Sequence, residues 1–221
     1  MFDLLIFDCD GVLVDSELLA RAALQAVYAR SDIEVTDAMV DKAVGMKQAD
    51  ILALIERETG RALPQERLGE FWPVTRDLFT ESLEGTAGIR EFLSGTKIAR
   101  CVASSSHHER IRHSLQVTGL DDHFADDAIF SSHDVKNGKP APDLVLHAAT
   151  MMGAAPERCL VIEDSRYGVI GAKAAGMTAF GFVGGSHLSP ASAEDSLYSA
   201  GADFVARRWD EVAARLFSAE G

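Results

Sequence analysis

The chain reads as an α/β protein: a doubly wound parallel sheet whose first strand is followed by an inserted all-helical segment. Three observations carry that expectation. A short apolar run, Leu4-Leu5-Ile6-Phe7, ends in the turn Asp8-Cys9-Asp10-Gly11. From Thr86 onward, short apolar runs alternate with helical segments. Between residues 16 and 85 helical periodicity recurs and no strand-like run occurs. Strands alternating with helices give a parallel sheet covered on both faces. Ligands bind such sheets at the carboxyl ends of the strands, so a helical insertion there reads as a cap. The expected domains are 1–15 with 86–221 for a Rossmann-like core, and 16–85 for an all-α helical cap.

Each element has its own reason. Leu4–Phe7 is expected as a buried strand because it is short, apolar and closed by a glycine turn. Ser16 is the expected N-cap of a helix over Glu17–Ala29. Further helices are expected over Asp37–Val44, Gln48–Thr59 and Pro64–Ser82, with Gly60 and Pro64 marking a break. In the second half, strands are expected at Lys97–Ala103, Ala128–Ser131, Cys159–Ile162, Thr178–Val183 and around Asp203–Val205. The helices between them, His107–Thr118, Asp143–Met152 and Arg166–Ala175, each run into a glycine. Ser189–Ser199, rich in Ser and Ala, reads as a surface connection leading into a short helix, and a terminal helix closes the chain.

Composition excludes some partners. Acidic residues outnumber basic ones 34 to 21, for a net charge of −13, with no cluster of Lys and Arg. Nucleic acid rewards clustered cations and is therefore not an expected partner. A small anionic substrate remains compatible, because a local lysine and a metal override the global field. No apolar run approaches the ~20 residues that span a bilayer. The amino-terminus enters its first strand without a leader-like segment, so no membrane partner and a cytoplasmic location are expected. Cys9, Cys101 and Cys159 are odd in number and widely spaced, which suits buried free thiols rather than disulfides or zinc.

Four polar stations follow the carboxyl ends of four expected strands. Asp8 and Asp10 form the first. Like charges at ~4 Å repel by roughly 4 kcal/mol at an effective dielectric near 20, so the pair calls for a cation or a shared proton. A calcium loop beginning at Ile6 would also use Asp8, Asp10 and Glu17, but Ile6 cannot be its first ligand. Ser104-Ser105-Ser106 form the second station, either a helix cap or an anion site before a helix N-terminus. Lys139, in Asn137-Gly138-Lys139-Pro140-Ala141-Pro142, is the third: a lysine on a backbone stiffened by proline, or a surface turn. Glu163-Asp164 is the fourth, offering carboxylates to a hard cation such as Mg²⁺ or a cap to the next helix.

Taken in order, these stations resemble the haloacid dehalogenase-like phosphohydrolase superfamily over essentially the whole chain. The motifs are Asp8-x-Asp10-Gly11-Val12, the serine run, Lys139-Pro140, and Asp164-Ser165-x-x-Gly168-Val169-x-x-Ala172. The insertion resembles that of the helical-cap subgroup, and the chain is most similar to its β-phosphoglucomutase and sugar-phosphate phosphatase branch, 6-phosphogluconate phosphatases included. The resemblance implies a phosphatase of a small phosphorylated metabolite. Asp8 would be the nucleophile that forms an aspartyl phosphate, and Asp10 the general acid and base. Mg²⁺ would be held by Asp8, the Asp10 carbonyl, Glu163 and Asp164. Ser104 and the Ser105 N–H would bind phosphate, with Lys139 bridging it to Asp8.

Departures choose between branches. The mutases carry a histidine on the first cap helix and an arginine on the cap loop, where this chain has Ala20 and Gly45-Met46-Lys47-Gln48. Both differences favour hydrolysis, leaving a phosphomutase as the alternative. Dehalogenases of the superfamily lack the second carboxylate, which is present here as Asp10. Receiver-type signalling modules, which accept phosphate without turnover, lack both the second carboxylate and the insertion. A catalytically dead binding relative is a further alternative, although every catalytic station is intact here. Lys47 and Gln48 on the cap, and His187 in Gly184-Gly185-Ser186-His187, are either substrate-reading residues or parts of turns. His107 and His108, at a helix start, are either exposed or within reach of a leaving group.

Overall fold

The computed structural model describes residues 2–43, 48–188 and 190–217. It divides into two compact units, Met1–Asp15 with Glu84–Gly221, and Ser16–Leu83. In chain order, β1 (Leu4–Phe7) is followed by α1 (Glu17–Ala29), α2 (Asp37–Ala43), α3 (Gln48–Thr59) and α4 (Phe71–Ser82). The α/β unit resumes with α5 (Ile89–Gly95), β2 (Ala99–Ser104), α6 (His108–Val117), β3 (Ile129–Ser131), α7 (Asp143–Met151) and β4 (Cys159–Glu163). It ends with α8 (Arg166–Ala174), β5 (Thr178–Phe182), α9 (Pro190–Ser199), β6 (Phe204–Ala206) and α10 (Trp209–Phe217).

All six strands pair in parallel in the order β3-β2-β1-β4-β5-β6. The first strand in sequence thus lies in the middle, where the winding reverses. Phe7 is level with Val102 of β2 and Ile162 of β4, so three strand ends finish side by side. That is the place where doubly wound sheets bind ligands.

Successive side chains of a strand face opposite ways, and both faces of β1 are buried. Leu4 and Ile6 join a core with Leu144 and Ala148 of α7 and Val169 and Ala172 of α8. Phe7 faces the other layer, where its ring meets Phe92, Phe124 and Trp209 at 6.0–6.2 Å. Trp209 also stacks on Phe182 at 4.5 Å. Its indole N–H donates to Thr86 Oγ1 (2.9 Å), which in turn donates to the Val12 carbonyl (2.6 Å). The aromatic layer is thereby tied to the turn that follows β1.

The helical unit closes on its own small core of Tyr28, Ile33, Val35 and Ile55, with Phe71 packed against Tyr28. Arg61 donates to the carbonyls of Ser31 and Asp32, which holds the bend after α1. Among the described residues no helix is long and apolar enough to cross a membrane.

Several expectations shift in detail. Glu84 and Gly85 belong to the α/β unit rather than the helical one. Asp15 N–H donates to the Glu84 carbonyl (3.0 Å), and Val14 bridges Gly85 as an antiparallel pair. Ser16 precedes α1 in helical geometry and makes no side-chain cap hydrogen bond. Pro64–Ser82 is not one helix: Gln65–Glu70 is 3-10, and α4 starts at Phe71. Pro73 has no N–H and crowds the carbonyl four residues back, so it fits an α-helix only in its first turn. α5 had no separate signal in the sequence; its seven residues bury one stripe, Ile89, Phe92 and Leu93. Most of Ser189–Ser199 is helical, because Leu197 is drawn into the main core.

Trp209 is therefore expected to be the most costly single truncation in the aromatic layer. Trp209→Ala should lose about 3–5 kcal/mol of stability in urea denaturation. A loss under about 1 kcal/mol, typical of surface positions, would contradict the packing.

Candidate active site

The strand ends deliver the stations together. Asp8 follows β1 directly, and its N–H donates to the Ile162 carbonyl (3.0 Å), which sets it beside Glu163 on β4. The chain then turns tightly. The N–H groups of Leu13 and Val14 donate to the Cys9 carbonyl, and Gly11 N–H donates to the Val14 carbonyl. Gly11 has φ +77°, and a Cβ there would fall 1.9 Å from Asp164 Oδ2. Only glycine allows both the turn and the approach of that carboxylate. Gly168, in the first turn of α8, likewise leaves room for Glu163, whose Oε1 lies 1.9 Å from where a Cβ would stand. Ser165 caps α8 by accepting from Gly168 N–H, while its own N–H and Oγ donate to Glu163 Oε2 (3.0 and 2.8 Å).

Lys139 answers this gathering of charge. Its ammonium donates to Asp8 Oδ1 at 2.5 Å and also to Glu163 Oε1. All three side chains are nearly inaccessible, at 9%, 9% and 1% exposure for Lys139, Asp8 and Glu163. The lysine rides on a segment packed beneath α8, where a Cβ at Gly171 would meet the Ala141 carbonyl at 3.1 Å. Burial pushes the Asp8 carboxyl well above the usual range; Lys139 opposes this, and Glu163, Asp164 and Asp10 reinforce it. Burial also works against the Lys139 ammonium, yet Asp8 and Glu163 together hold its pKa above the ordinary lysine value. Asp164 is raised by burial too, an effect that His187 partly offsets.

Asp8, Glu163 and Asp164 each offer an oxygen, and these atoms lie within 4.8 Å of one another. One ammonium does not balance three carboxylates, of which Asp8 and Glu163 are buried and Asp164 is partly so. The donor set is all hard oxygen, which fits Mg²⁺ and not a soft transition metal.

Asp10 is turned elsewhere. Its carboxylate is not part of that cluster; it accepts from Ser106 Oγ and from Arg110 Nη2, both at 2.7 Å. The serine run begins in β2, whose last residue is Ser104, and leads toward α6. Ser104 is buried and its Oγ accepts from Ser106 N–H, whereas Ser105 is exposed and its carbonyl accepts from Ser132 Oγ. His107 is the N-cap of α6, with Nδ1 accepting from Arg110 N–H, and His108 pairs with Asp134 (2.9 Å).

Sequence reasoning singled out neither Arg110 nor the bond from Ser106 to Asp10. The available signal was a basic residue one turn into the helix that follows the serine run. His187 stands against the acidic cluster. Its side chain is only 9% exposed, with Nε2 3.5 Å from Asp164 Oδ2. Its ring lies 2.9 Å from where a Cβ on Gly185 would be. Lys47 lies outside the described residues, as does the side chain of Gln48. The three cysteines are buried and free, and burial raises the Cys9 and Cys101 thiols, so neither is primed as a nucleophile.

Lys139→Met tests the charge balance. In EDTA it should destabilise the protein by about 3–5 kcal/mol near neutral pH, the usual cost of removing one partner of a buried pair. Without the ammonium, the Asp8 carboxyl rises further above its unfolded value. Between those two values the folded state binds more protons, so its stability falls as pH rises. The deficit in urea denaturation should therefore be smaller at about pH 5 than at about pH 8. An equal deficit at both would show that the lysine does not neutralise Asp8.

Comparison with known proteins identifies the family. A family model described as haloacid dehalogenase-like hydrolase matches residues 2–176. The 6-phosphogluconate phosphatase of Escherichia coli (strain K12) is 32% identical over 187 residues, 83% of this chain and 84% of that protein. A solved haloacid dehalogenase-like protein from Agrobacterium tumefaciens superposes with a TM-score of 0.86 at 34% identity, covering 100% of both chains. A family hydrolase from Deinococcus radiodurans, solved with bound phosphate and sodium, gives 0.79 at 30% identity over 99% of this chain and 96% of its own. The chain belongs to the haloacid dehalogenase-like hydrolase family and is a hydrolase related to its phosphatases.

Proposed function

We propose that the protein is a Mg²⁺-dependent phosphatase that hydrolyses a small phosphorylated metabolite through an aspartyl phosphate on Asp8. The observation that carries this reading is the set of bonds around Asp8. Lys139 holds one oxygen of a buried carboxylate that two further acids, Glu163 and Asp164, flank at the strand ends. Such a carboxylate is oriented and desolvated, as a nucleophile toward phosphorus needs to be.

In the first step an Asp8 oxygen attacks phosphorus and the ester P–O bond breaks. The departing alkoxide takes a proton from Asp10. In the second step water attacks the aspartyl phosphate, gives its proton to Asp10, and inorganic phosphate leaves with Asp8 restored. Such positioned proton transfer typically contributes ~10²–10⁴-fold. Lys139 lies between nucleophile and metal ligands, where its charge offsets the negative charge of both Asp8 and an incoming phosphate. Ser104 and Ser105, ahead of α6, supply hydroxyl and N–H donors for the phosphate oxygens. Asp8, Glu163 and Asp164, with the Asp10 carbonyl, would hold Mg²⁺, which neutralises charge on the transferring group.

The substrate class follows from kinship. The Escherichia coli relative acts on 6-phosphogluconate, and the Deinococcus structure holds phosphate. A sugar phosphate or a phosphorylated sugar acid is the reading these support. The helical unit, Ser16–Leu83, is the cap in this reading.

Phosphate release across sugar phosphates, phosphosugar acids and nucleotides tests the reaction. Turnover should require Mg²⁺, vanish in EDTA, and fall at least ~10³-fold in Asp8→Asn, as loss of a covalent nucleophile does. Wild-type release by Asp8→Asn would overturn the mechanism. Phosphate transferred between sugar positions without release would assign a mutase instead. Phosphosugar acids should show the higher kcat/KM; a preference for neutral hexose phosphates would remove the sugar-acid assignment alone.

Mg²⁺ should also stabilise the wild-type fold by about 2.7 kcal/mol at one hundred times its Kd. In Asp164→Asn that thermal shift should shrink. An undiminished shift would place the metal elsewhere.

A further inference from the structure

The carboxylate of Asp10 is held by the segment that follows β2. Ser106 Oγ donates to Asp10 Oδ2 and Arg110 Nη2 to Asp10 Oδ1, each at 2.7 Å, so each carboxylate oxygen has its own donor. The donors are themselves fixed. Ser106 N–H donates to the buried Ser104 Oγ (3.1 Å), and its carbonyl accepts from Ser131 Oγ (2.7 Å) at the end of β3. Arg110 is in the first turn of α6, where its N–H donates to the His107 cap. The Asp10 and Arg110 side chains are largely buried, at 14% and 21% exposure, so water screens the pair weakly.

We infer that Arg110, assisted by Ser106, is a positioning residue that fixes the Asp10 carboxylate to the phosphate-binding segment, so that proton donor and phosphate are held in one frame. The inference rests on Asp10 being the general acid and base. A carboxylate at a loop turn has free side-chain torsions, whereas proton transfer needs a reach of about 2.6–3.2 Å. A misplacement of about 1 Å can cost ~10²-fold. Guanidinium and hydroxyl on the two oxygens remove that freedom. When Asp10 gives its proton to the ester oxygen as the P–O bond breaks, the carboxylate left behind stays paired with Arg110. Arg110 also adds a second cation to a centre that holds Asp8, Asp10, Glu163 and Asp164.

The test separates leaving groups. p-Nitrophenolate departs without protonation, whereas a sugar alkoxide needs a proton. The readout is kcat/KM for p-nitrophenyl phosphate and for the alkyl phosphate that the wild-type protein hydrolyses best. Arg110→Met should depress the alkyl ester about tenfold more than the aryl ester, by loss of aligned proton donation. Arg110→Lys should recover part of that selectivity, and Ser106→Ala should show the same bias in smaller measure.

Equal losses on both esters, a rise in KM alone, or no loss would each overturn the positioning role. If Arg110→Met does not fold, Arg110→Lys and Ser106→Ala decide by the same ratio. Asp10→Asn is the separate control. Without leaving-group bias there, the acid and base reading itself fails. With bias there and none in the Arg110 and Ser106 variants, only the positioning role fails.

Discussion

The structure of this site depends on mutual repulsion among buried carboxylates and on the cation that answers it. Asp8, Glu163 and Asp164 converge where solvent screening is weak. Lys139 reaches across from another loop to two of them. Much of the surrounding sequence serves that contact. Gly11 and Gly168 leave room where any side chain would collide with Asp164 or Glu163. Ser165 satisfies the far oxygen of Glu163 while capping α8. Gly171 lets α8 settle on the segment that carries Lys139. Three acids gathered around one ammonium are the feature on which the proposed Mg²⁺ site rests.

The sheet divides the chemistry in two. On one side of Asp8, β4 and the loop after β5 present acids and His187, a side suited to a metal. On the other, β2 and the start of α6 present hydroxyls and N–H groups, a side suited to phosphate. Asp8 stands between because β1 pairs with both β2 and β4. Asp10, two residues on, faces this second side, where Ser106 and Arg110 engage it. The net charge of −13 therefore says little about what binds here. Local cations at Lys139 and Arg110 decide the field that an anionic ligand meets.

The same scaffold serves many chemistries, and what distinguishes this chain is the site set on it. The second carboxylate of the first motif, Asp10, supports hydrolysis of an oxygen ester, because such a leaving group needs a proton. The aromatic layer of Phe7, Phe92, Phe182 and Trp209 bears on this from behind. Through Thr86 it is hydrogen-bonded to the backbone of the very turn that presents Asp10. Core packing and site geometry are thus one mechanical system.

Hydrophobic periodicity, glycine and proline punctuation and four polar stations were enough to read the sheet, its order of elements and the identity of its charged residues. These are local signals: an apolar run, a turn after it, an acid at the turn. The helical insertion was legible for the same reason, since repeated helical spacing needs no knowledge of partners. Other features were settled by contacts between segments far apart in the chain. α5 exists because one short stripe packs against the aromatic layer, and α9 because Leu197 finds a core to enter. Arg110 lies 100 residues from Asp10, a distance over which sequence carries no pairing rule, whereas the meeting of Lys139 with Asp8, 131 residues apart, was expected only through the family resemblance. His187 turned out to face Asp164 because the Gly184-Gly185 turn brings it inward. The sequence by itself determined which charges the protein carries and on which strand ends they sit. Tertiary structure decided how those charges meet, and it alone paired Arg110 and Ser106 with Asp10, because such pairing follows from strand order and helix packing, not from spacing along the chain.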